Sequence, residues 1–559
     1  MEGPIRKKAR AGQAQELPET MVVRFSPATA EGEDAGPQLP PVDVPLSATT
    51  LQLERLLNEL LEKDERVPFA FYVTEEKSEV VASLKDTVKD RNLSTETVLE
   101  INYEPLSLFK VHPMTRCTDS LPGHTDALLH VSFSPDGEQL ASGGGDTTVR
   151  FWNVASRMPR HVCKGHRNHV LCTAWSPDGL RFASGDRNGE LRLWDPATGA
   201  AVGKPLTGHR QWITSLAWEP QHANPACERL ISGSKDGTAR VWNVRTGRSE
   251  MTLTGHSDSI EAVRWGGEGL LYTASRDKTI MVWAVRDPLA VLAPDASEED
   301  KRATPFKLIR VLKGHAHRIN SIALSTDYLN RTGAFDHTGK FFVSEEEKKK
   351  NNKQESEGMK EVKPEGAAKE TQGGATKKAK KSAFDRDGAF AAAKARYETA
   401  KAQHARTHDA SVPFERLVSC SDDLTLYMWH PTTDKKPVER LFGHQQPVSH
   451  ISFSPDGRFL ASASFDRKVK LWCGRTGKFL STLHGHVGHV YWVCWAPDSR
   501  LLCSASKDST LKVWSARDSR KPKQTLSGHF DEVYALDWSP NGELIASGGK
   551  DRVLKIWAE

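Results

Sequence analysis

The sequence predicts a mainly β protein: an eight-bladed propeller preceded by a smaller α/β unit. Three observations carry this. A Gly-His pair recurs eight times, with its histidine at His124, His166, His209, His256, His315, His444, His486 and His529. Each pair is followed by alternating apolar residues and then by a tryptophan, in order Trp152, Trp194, Trp242, Trp283, Trp429, Trp472, Trp514 and Trp557. Finally, the stretch from Thr20 to Pro105 lacks the repeat altogether.

Residues 1–19 are polar and charged and read as a flexible tail. In the following unit, 20–106, Met21 to Phe25 alternates as a strand does, and Val42 to Leu46 suits its hairpin partner. Leu53, Leu56, Leu57 and Leu60 recur at helical spacing, with Thr49 or Thr50 available as N-cap. Phe69 to Val73 and Val98 to Tyr103 read as two more strands. The order strand, strand, helix, strand, strand is that of a ubiquitin-like β-grasp domain. No Gly-Gly follows it, so conjugation is not indicated.

The propeller is expected over 107–559. Most of its repeats are spaced close to 42 residues, the period of a WD40 blade of four strands. Thr115 to Leu121 is placed to complete the last blade and so to close the ring without free sheet edges. The fifth repeat is split, because His315 lies more than a hundred residues before Asp423. A Lys/Glu/Ala-rich insertion, 341–412, fills the gap, and Ser382 to His408 within it reads as a solvent-exposed helix.

Each blade offers the same buried polar set. In the first it is His124, Ser142, Asp146 and Trp152. Burial requires each polar group to find a partner, and these four can satisfy one another. The histidine–aspartate pairs continue as His209/Asp236, His256/Asp277, His315/Asp423, His444/Asp466, His486/Asp508 and His529/Asp551. The second blade carries Asn188 where the others have Asp, which predicts a lost charge-assisted bond and the softest blade of the ring. A Ser, a His and an Asp together invite a catalytic-triad reading. Their recurrence in nearly every blade makes them structural instead, since a nucleophile must be exposed beside its base.

No phosphate-binding loop or dinucleotide fingerprint is present, and none of the eight cysteines forms a CxxC pair. The protein is therefore expected to be no enzyme, to hold no metal or cofactor of its own and to take no small-molecule substrate. No apolar run approaches membrane-spanning length and the N-terminus lacks a secretory apolar core, which predicts a soluble intracellular protein. The net charge of +5 is weak. Basic clusters at 6–10, 348–350 and 377–381 suit nuclear-localisation or nucleic-acid contacts, or simply solvated segments. One face of the ring collects Lys235, Arg276, Arg318, Lys507, Lys550, His169, His489 and Trp212, a composition suited to RNA phosphate and a ribosomal surface.

A ubiquitin-like unit joined to an eight-bladed ring, the junction Leu106 to Arg116, and the stretch Gly333 to Lys340 together resemble the Notchless family. That resemblance implies an assembly factor of the large ribosomal subunit, monomeric, in the nucleolus and nucleoplasm. It implies a propeller docked on the pre-60S particle. It further implies a ubiquitin-like domain that binds the metal-ion-dependent adhesion site (MIDAS) of midasin, a giant AAA ATPase, and transmits ATP-driven remodelling. The family's acidic contact falls on Glu96, supported by Ser94 and Thr95 in the loop before the last strand, and the Mg²⁺ it completes is held by the partner. The competing reading is a WD40 substrate receptor of a cullin-type ubiquitin ligase. Trp242 to Arg245 and Trp283 to Arg286 are poor matches to the Trp-Asp-x-Arg box of such receptors.

Overall fold

A computed structural model describes residues 20–27, 39–62, 67–73, 78–80, 83–91, 98–106, 109–285, 306–343, 385–407, 412–517 and 521–559. The chain divides into two compact units near Leu108. In the first, β1 (Thr20–Pro27) pairs antiparallel with β2 (Val42–Pro45), placing Met21 opposite Val44. Helix α1 (Thr50–Leu60) begins at Thr49, whose backbone N–H donates to Gln52 Oε1 at 2.9 Å. β3 (Phe69–Val73), the short β4 (Ser78–Glu79), α2 (Leu84–Arg91) and β5 (Leu99–Pro105) follow.

The sheet order is β2-β1-β5-β3-β4, with β1 and β5 parallel. This is the β-grasp arrangement. Leu53 and Leu57 of α1 are fully buried against Val23, Phe25, Phe71, Val73 and Ile101. Two elements, β4 and α2, have no counterpart in the sequence reading. Leu84 and Val88 of α2 do stand at helical spacing and are buried, but two apolar positions in so short a stretch are too few to mark a helix.

Among its described residues the second unit contains eight antiparallel sheets, seven of them four-stranded. β6 (Arg116–Leu121) pairs with the chain's last strand, Leu554–Ala558, so both ends of the ring meet in blade 8. The exception is blade 2, with three strands. Its outer edge is reduced to isolated bridges, Leu191 to Leu206 and Trp194 to Ala201. Blade 5 is whole despite its split sequence, since Ile319–Leu324 pairs with Leu417–Ser421.

Between those two strands the chain crosses the ring. After Leu324 it forms α3 (Asp327–Thr332), runs to Val343, and later returns as α4 (Arg386–Thr407). Arg331 reaches blade 8, its Nη1 and Nη2 donating to Asp537 Oδ1 and Oδ2 at 2.9 and 2.7 Å. Asn330 Nδ2 donates to the Trp265 carbonyl of blade 4 at 3.2 Å, and Ala334 N to Gln221 Oε1 beyond blade 3's inner strand, also at 3.2 Å. A segment of blade 5 that touches blades 3, 4 and 8 must span the axis, so it plugs one end of the channel. Gly333 is required at its bend: φ is +51°, and a Cβ there would lie 2.7 Å from Gln221 Oε1.

The expectation of a solvent-exposed helix in the insertion is corrected here. Ala389, Ala392 and Ala393 of α4 are buried, with Phe341 and Phe342 packed beside them. Tyr397 stacks on His222 at 3.8 Å, and Arg396 donates to Thr332 Oγ1 at 2.7 Å and to the Phe335 carbonyl at 2.5 Å. Alanines leave a flat helix side that fits closely on the plug, so composition alone misreads them as solvated. Glu415 lies beneath, accepting from Gly267 N at 2.6 Å and bonded to Tyr272 Oη at 2.6 Å. Burial pushes its carboxyl up to about 7, above the ordinary range.

Candidate functional site

The repeated polar set fixes the end of the ring opposite the plug. In seven blades the His Nδ1 lies 2.7–3.0 Å from an Asp carboxylate oxygen. If Nδ1 donates to the Asp, Nε2 is left to accept the Ser or Thr hydroxyl, and the Trp indole N–H donates to that same oxygen. In blade 1 these two contacts measure 2.8 Å, His124 to Ser142, and 3.0 Å, Trp152 to Ser142. Burial alone would raise the Asp146 carboxyl, but bonds from His124, Thr148 and the Thr125 amide outweigh it and hold the group below the usual range. Ser142 is fully buried with its hydroxyl already engaged, so it has no room to act as a nucleophile.

Blade 2 departs from the sequence reading. His166 Nδ1 faces Asp186, not Asn188, at 3.3 Å, both side chains being fully buried. The negative charge is therefore kept, two residues earlier in the turn. The corresponding position in blade 1 is Gly144, where a Cβ would point directly at His124 Nδ1 and Asp146 Oδ1. A carboxylate grown from that position fills the same space and displaces residue 188. The contact is longer than in the other blades, while Asp186 also accepts the amides of Asn188 and Glu190 at 2.9 and 2.8 Å. Asn188 turns outward and accepts from Asn168 Nδ2 at 2.9 Å.

Beyond each turn Asp, a rim is built by one repeated backbone bond. The residue before the Asp position donates its N–H to the carbonyl just ahead of the inner strand: Gly145 to Ala127, Arg187 to His169, Lys235 to Trp212, Arg276 to Ser259, Asp422 to Arg318, Phe465 to Pro447, Lys507 to His489 and Lys550 to Glu532, at 2.8–3.1 Å. All eight residues named for this face from sequence stand in those pairs. The rim is not uniformly basic, however. Arg276 meets Glu261 at 3.6 Å, Arg318 meets Asp422 at 2.5 Å, Lys507 meets Glu532 at 3.5 Å and Lys550 meets Asp531 at 3.3 Å. His489 is committed to the Phe465 carbonyl at 2.6 Å. Over blades 7 and 8 the rim carries the exposed apolar side chains Val487 and Phe530, 77% and 90% exposed.

Blades 2 and 3 differ. Trp212 lies under two cations, with Lys235 Nζ 4.1 Å and Arg187 Cζ 4.4 Å from its ring centroid. Arg187 escaped the sequence reading; its signal is the alignment of its position with Lys235. Trp492, the other tryptophan outside the repeat pattern, stacks on His450 at 3.9 Å by the channel. Ser94, Thr95 and Glu96 lie outside the described residues, as do the three basic clusters. Among the described residues no group of His, Cys, Asp or Glu is placed to hold a metal, and no helix is long and apolar enough to cross a membrane.

The chain matches the NLE (NUC135) domain over residues 21–88, and the WD domain, G-beta repeat, over seven stretches from 115–153 to 520–558. No repeat is matched between 284 and 435, where the insertion divides blade 5. It is 43% identical to Protein Notchless of Drosophila melanogaster over 79% of this chain and 76% of that one. Similarity to the Notchless protein homolog of Arabidopsis thaliana is 45% over 78% of each chain. Ribosome assembly protein 4 of Saccharomyces cerevisiae is 39% identical over 78% of this chain and 76% of that one. The crystal structure of the computationally designed Ika8 protein matches 79% of this chain and all of that one, with a TM-score of 0.53 and 20% identity, a likeness of fold alone. With an NLE domain, seven matched WD repeats and relatives this similar over most of their length, the chain belongs to the Notchless family.

Proposed function

We propose that the protein is an assembly factor of the large ribosomal subunit, working as an adaptor between the pre-60S particle and a midasin-type AAA ATPase in the nucleolus and nucleoplasm. A role in ribosome biogenesis is supported by the relatives named Ribosome assembly protein 4 in two fungi, at 39% and 37% identity. The carrying observation is the combination, in one chain, of an NLE-type β-grasp domain and a closed eight-bladed ring. The described part of the ring offers a broad rim, and in its cleft between blades 6 and 7 Asp508 and His489 are already engaged by His486 and the Phe465 carbonyl, which suits docking better than catalysis.

In this reading the ring rides on the precursor, and the β-grasp domain presents Glu96 to the ATPase's metal-ion-dependent adhesion site. A Mg²⁺ held there by the ATPase favours near-octahedral oxygen ligands and accepts one further carboxylate. A domain with a buried core such as Leu53, Leu57 and Ile101 can transmit a pull without deforming.

Sedimentation of a cell extract tests the reading. The protein is expected to co-migrate with particles containing large-subunit precursor RNA and to be absent from mature 60S fractions. Migration as a free protein, or with a cullin ligase, would overturn it.

A further inference from the structure

The Lys and Arg residues within the eight backbone pairs of the rim fall into two kinds. On blades 4, 5, 7 and 8 each meets a carboxylate, which cancels its charge at the surface. On blades 2 and 3 Arg187 and Lys235 have no ion pair among the described residues and are held by the indole of Trp212. A ring quadrupole fixes a cation in place without neutralising it, so both charges remain available to an incoming anion. Arg167 and Arg210 are exposed beside them, following His166 and His209 directly in sequence. They too have no ion pair among the described residues.

Two features narrow the class of ligand. The outward-turned Asn188 and its partner Asn168 supply amide donors and acceptors suited to base edges and ribose hydroxyls. The exposed apolar side chains at the rim, Val487 and Phe530, lie over blades 7 and 8, whereas protein interfaces are built around an apolar core. We propose that the rim over blades 2 and 3 is a single-stranded RNA site, in which Arg187, Lys235, Arg167 and Arg210 contact phosphates and Trp212 is the positioning residue for the first two. The inference rests on the reading of the ring as the half that docks on a ribosomal precursor.

The shift of the buried carboxylate to Asp186 gives this corner its composition. With the carboxylate facing His166 supplied from position 186, residue 188 is released from the blade interior and becomes part of the surface.

The test is binding of the full chain to a fluorescent oligouridylate of about 12 nucleotides, within the usual site sizes of such grooves, over a series of salt concentrations. The double change Arg187→Gln/Lys235→Gln removes two phosphate contacts. It should weaken binding by about tenfold or more and lower the logarithmic salt slope by about 1.4. Trp212→Ala should weaken binding severalfold and Trp212→Phe should restore most of it, which a merely structural role for the side chain does not predict. Lys307→Gln, exposed on the outer strand of blade 4 at the end away from the rim, should change affinity less than about twofold.

Unchanged affinity and slope in the double variant would overturn the site, as would tighter binding of a polyglutamate peptide than of the RNA. Should Trp212→Ala fail to fold, the two charge substitutions still decide. Co-sedimentation with the precursor is scored separately. If the wild type co-sediments while the charge variants bind RNA normally, the RNA site alone fails.

Discussion

Asp186→Ala is expected to destabilise the ring by about 3 kcal/mol, and Asn188→Ala by less than about 0.5 kcal/mol. The first change strips a fully buried carboxylate from His166 and leaves the amides of residues 188 and 190 without their acceptor. The second removes an exposed side chain whose one bond, to Asn168, is at the surface. Chemical denaturation followed by tryptophan fluorescence measures both, because Trp194 is bonded to Ser184 in the same network. Comparable losses for the two variants would return the structural role to Asn188.

The pH dependence follows from the same residue. Burial by itself would raise the Asp186 carboxyl, but the facing His166 imidazole and the bonds from two amides hold it below the ordinary range. A group depressed in the folded state stabilises above its unfolded value, about 3.9, and loses that contribution as pH falls toward the folded value. The gap between wild type and Asp186→Ala should therefore be full at pH 7 and narrow as the pH falls below about 4.

Asp537→Ala carries the second large effect, again about 3 kcal/mol. Asp537 is buried, takes both guanidinium bonds of Arg331 from the plug, and also accepts the Phe133 amide at 2.8 Å. Its loss leaves a cation by the channel unpaired and a buried amide unsatisfied. Because this contact ties α3 to blade 8, the damage should be local as well as global. Hydrogen exchange should quicken across 325–342 before it quickens in the blades. The double change Arg331→Met/Asp537→Leu should recover part of the loss, since replacing both partners avoids the stranded charge. A single variant as stable as wild type, with the plug still protected, would show that the segment is held by other contacts.

What the sequence displays well is what repeats. Eight Gly-His pairs and their tryptophans announce eight sheets, and Thr115 to Leu121 is legible as the closing strand because the final repeat lacks its fourth. Position-by-position alignment fails where side chains reach the same point from different places. Counting from Ser184 selects Asn188, yet the pleat lets Asp186 reach the same imidazole. The plug is hidden for a related reason. Arg331 and Asp537 are separated by 206 residues, and no local pattern links them.

The rim's chemistry was readable only as composition. Its five basic residues named from sequence look alike until their partners are known. Four then prove to be neutralised by carboxylates, and only Lys235 stands over an indole. Trp212 was conspicuous because it breaks the repeat pattern, whereas Arg187 was not, since arginines in turns are common. Glu96 remains an assignment carried by the family resemblance.

The central claim, that the β-grasp domain joins the ring to an ATPase through a shared metal ion, is tested most directly by one measurement. The full chain is titrated against the isolated adhesion-site domain of the ATPase by calorimetry, with Mg²⁺ and then with EDTA, for wild type and Glu96→Ala. The account predicts binding that needs both the metal and Glu96, with the variant's thermal unfolding unchanged. Binding that survives EDTA, or that Glu96→Ala leaves intact, would contradict it.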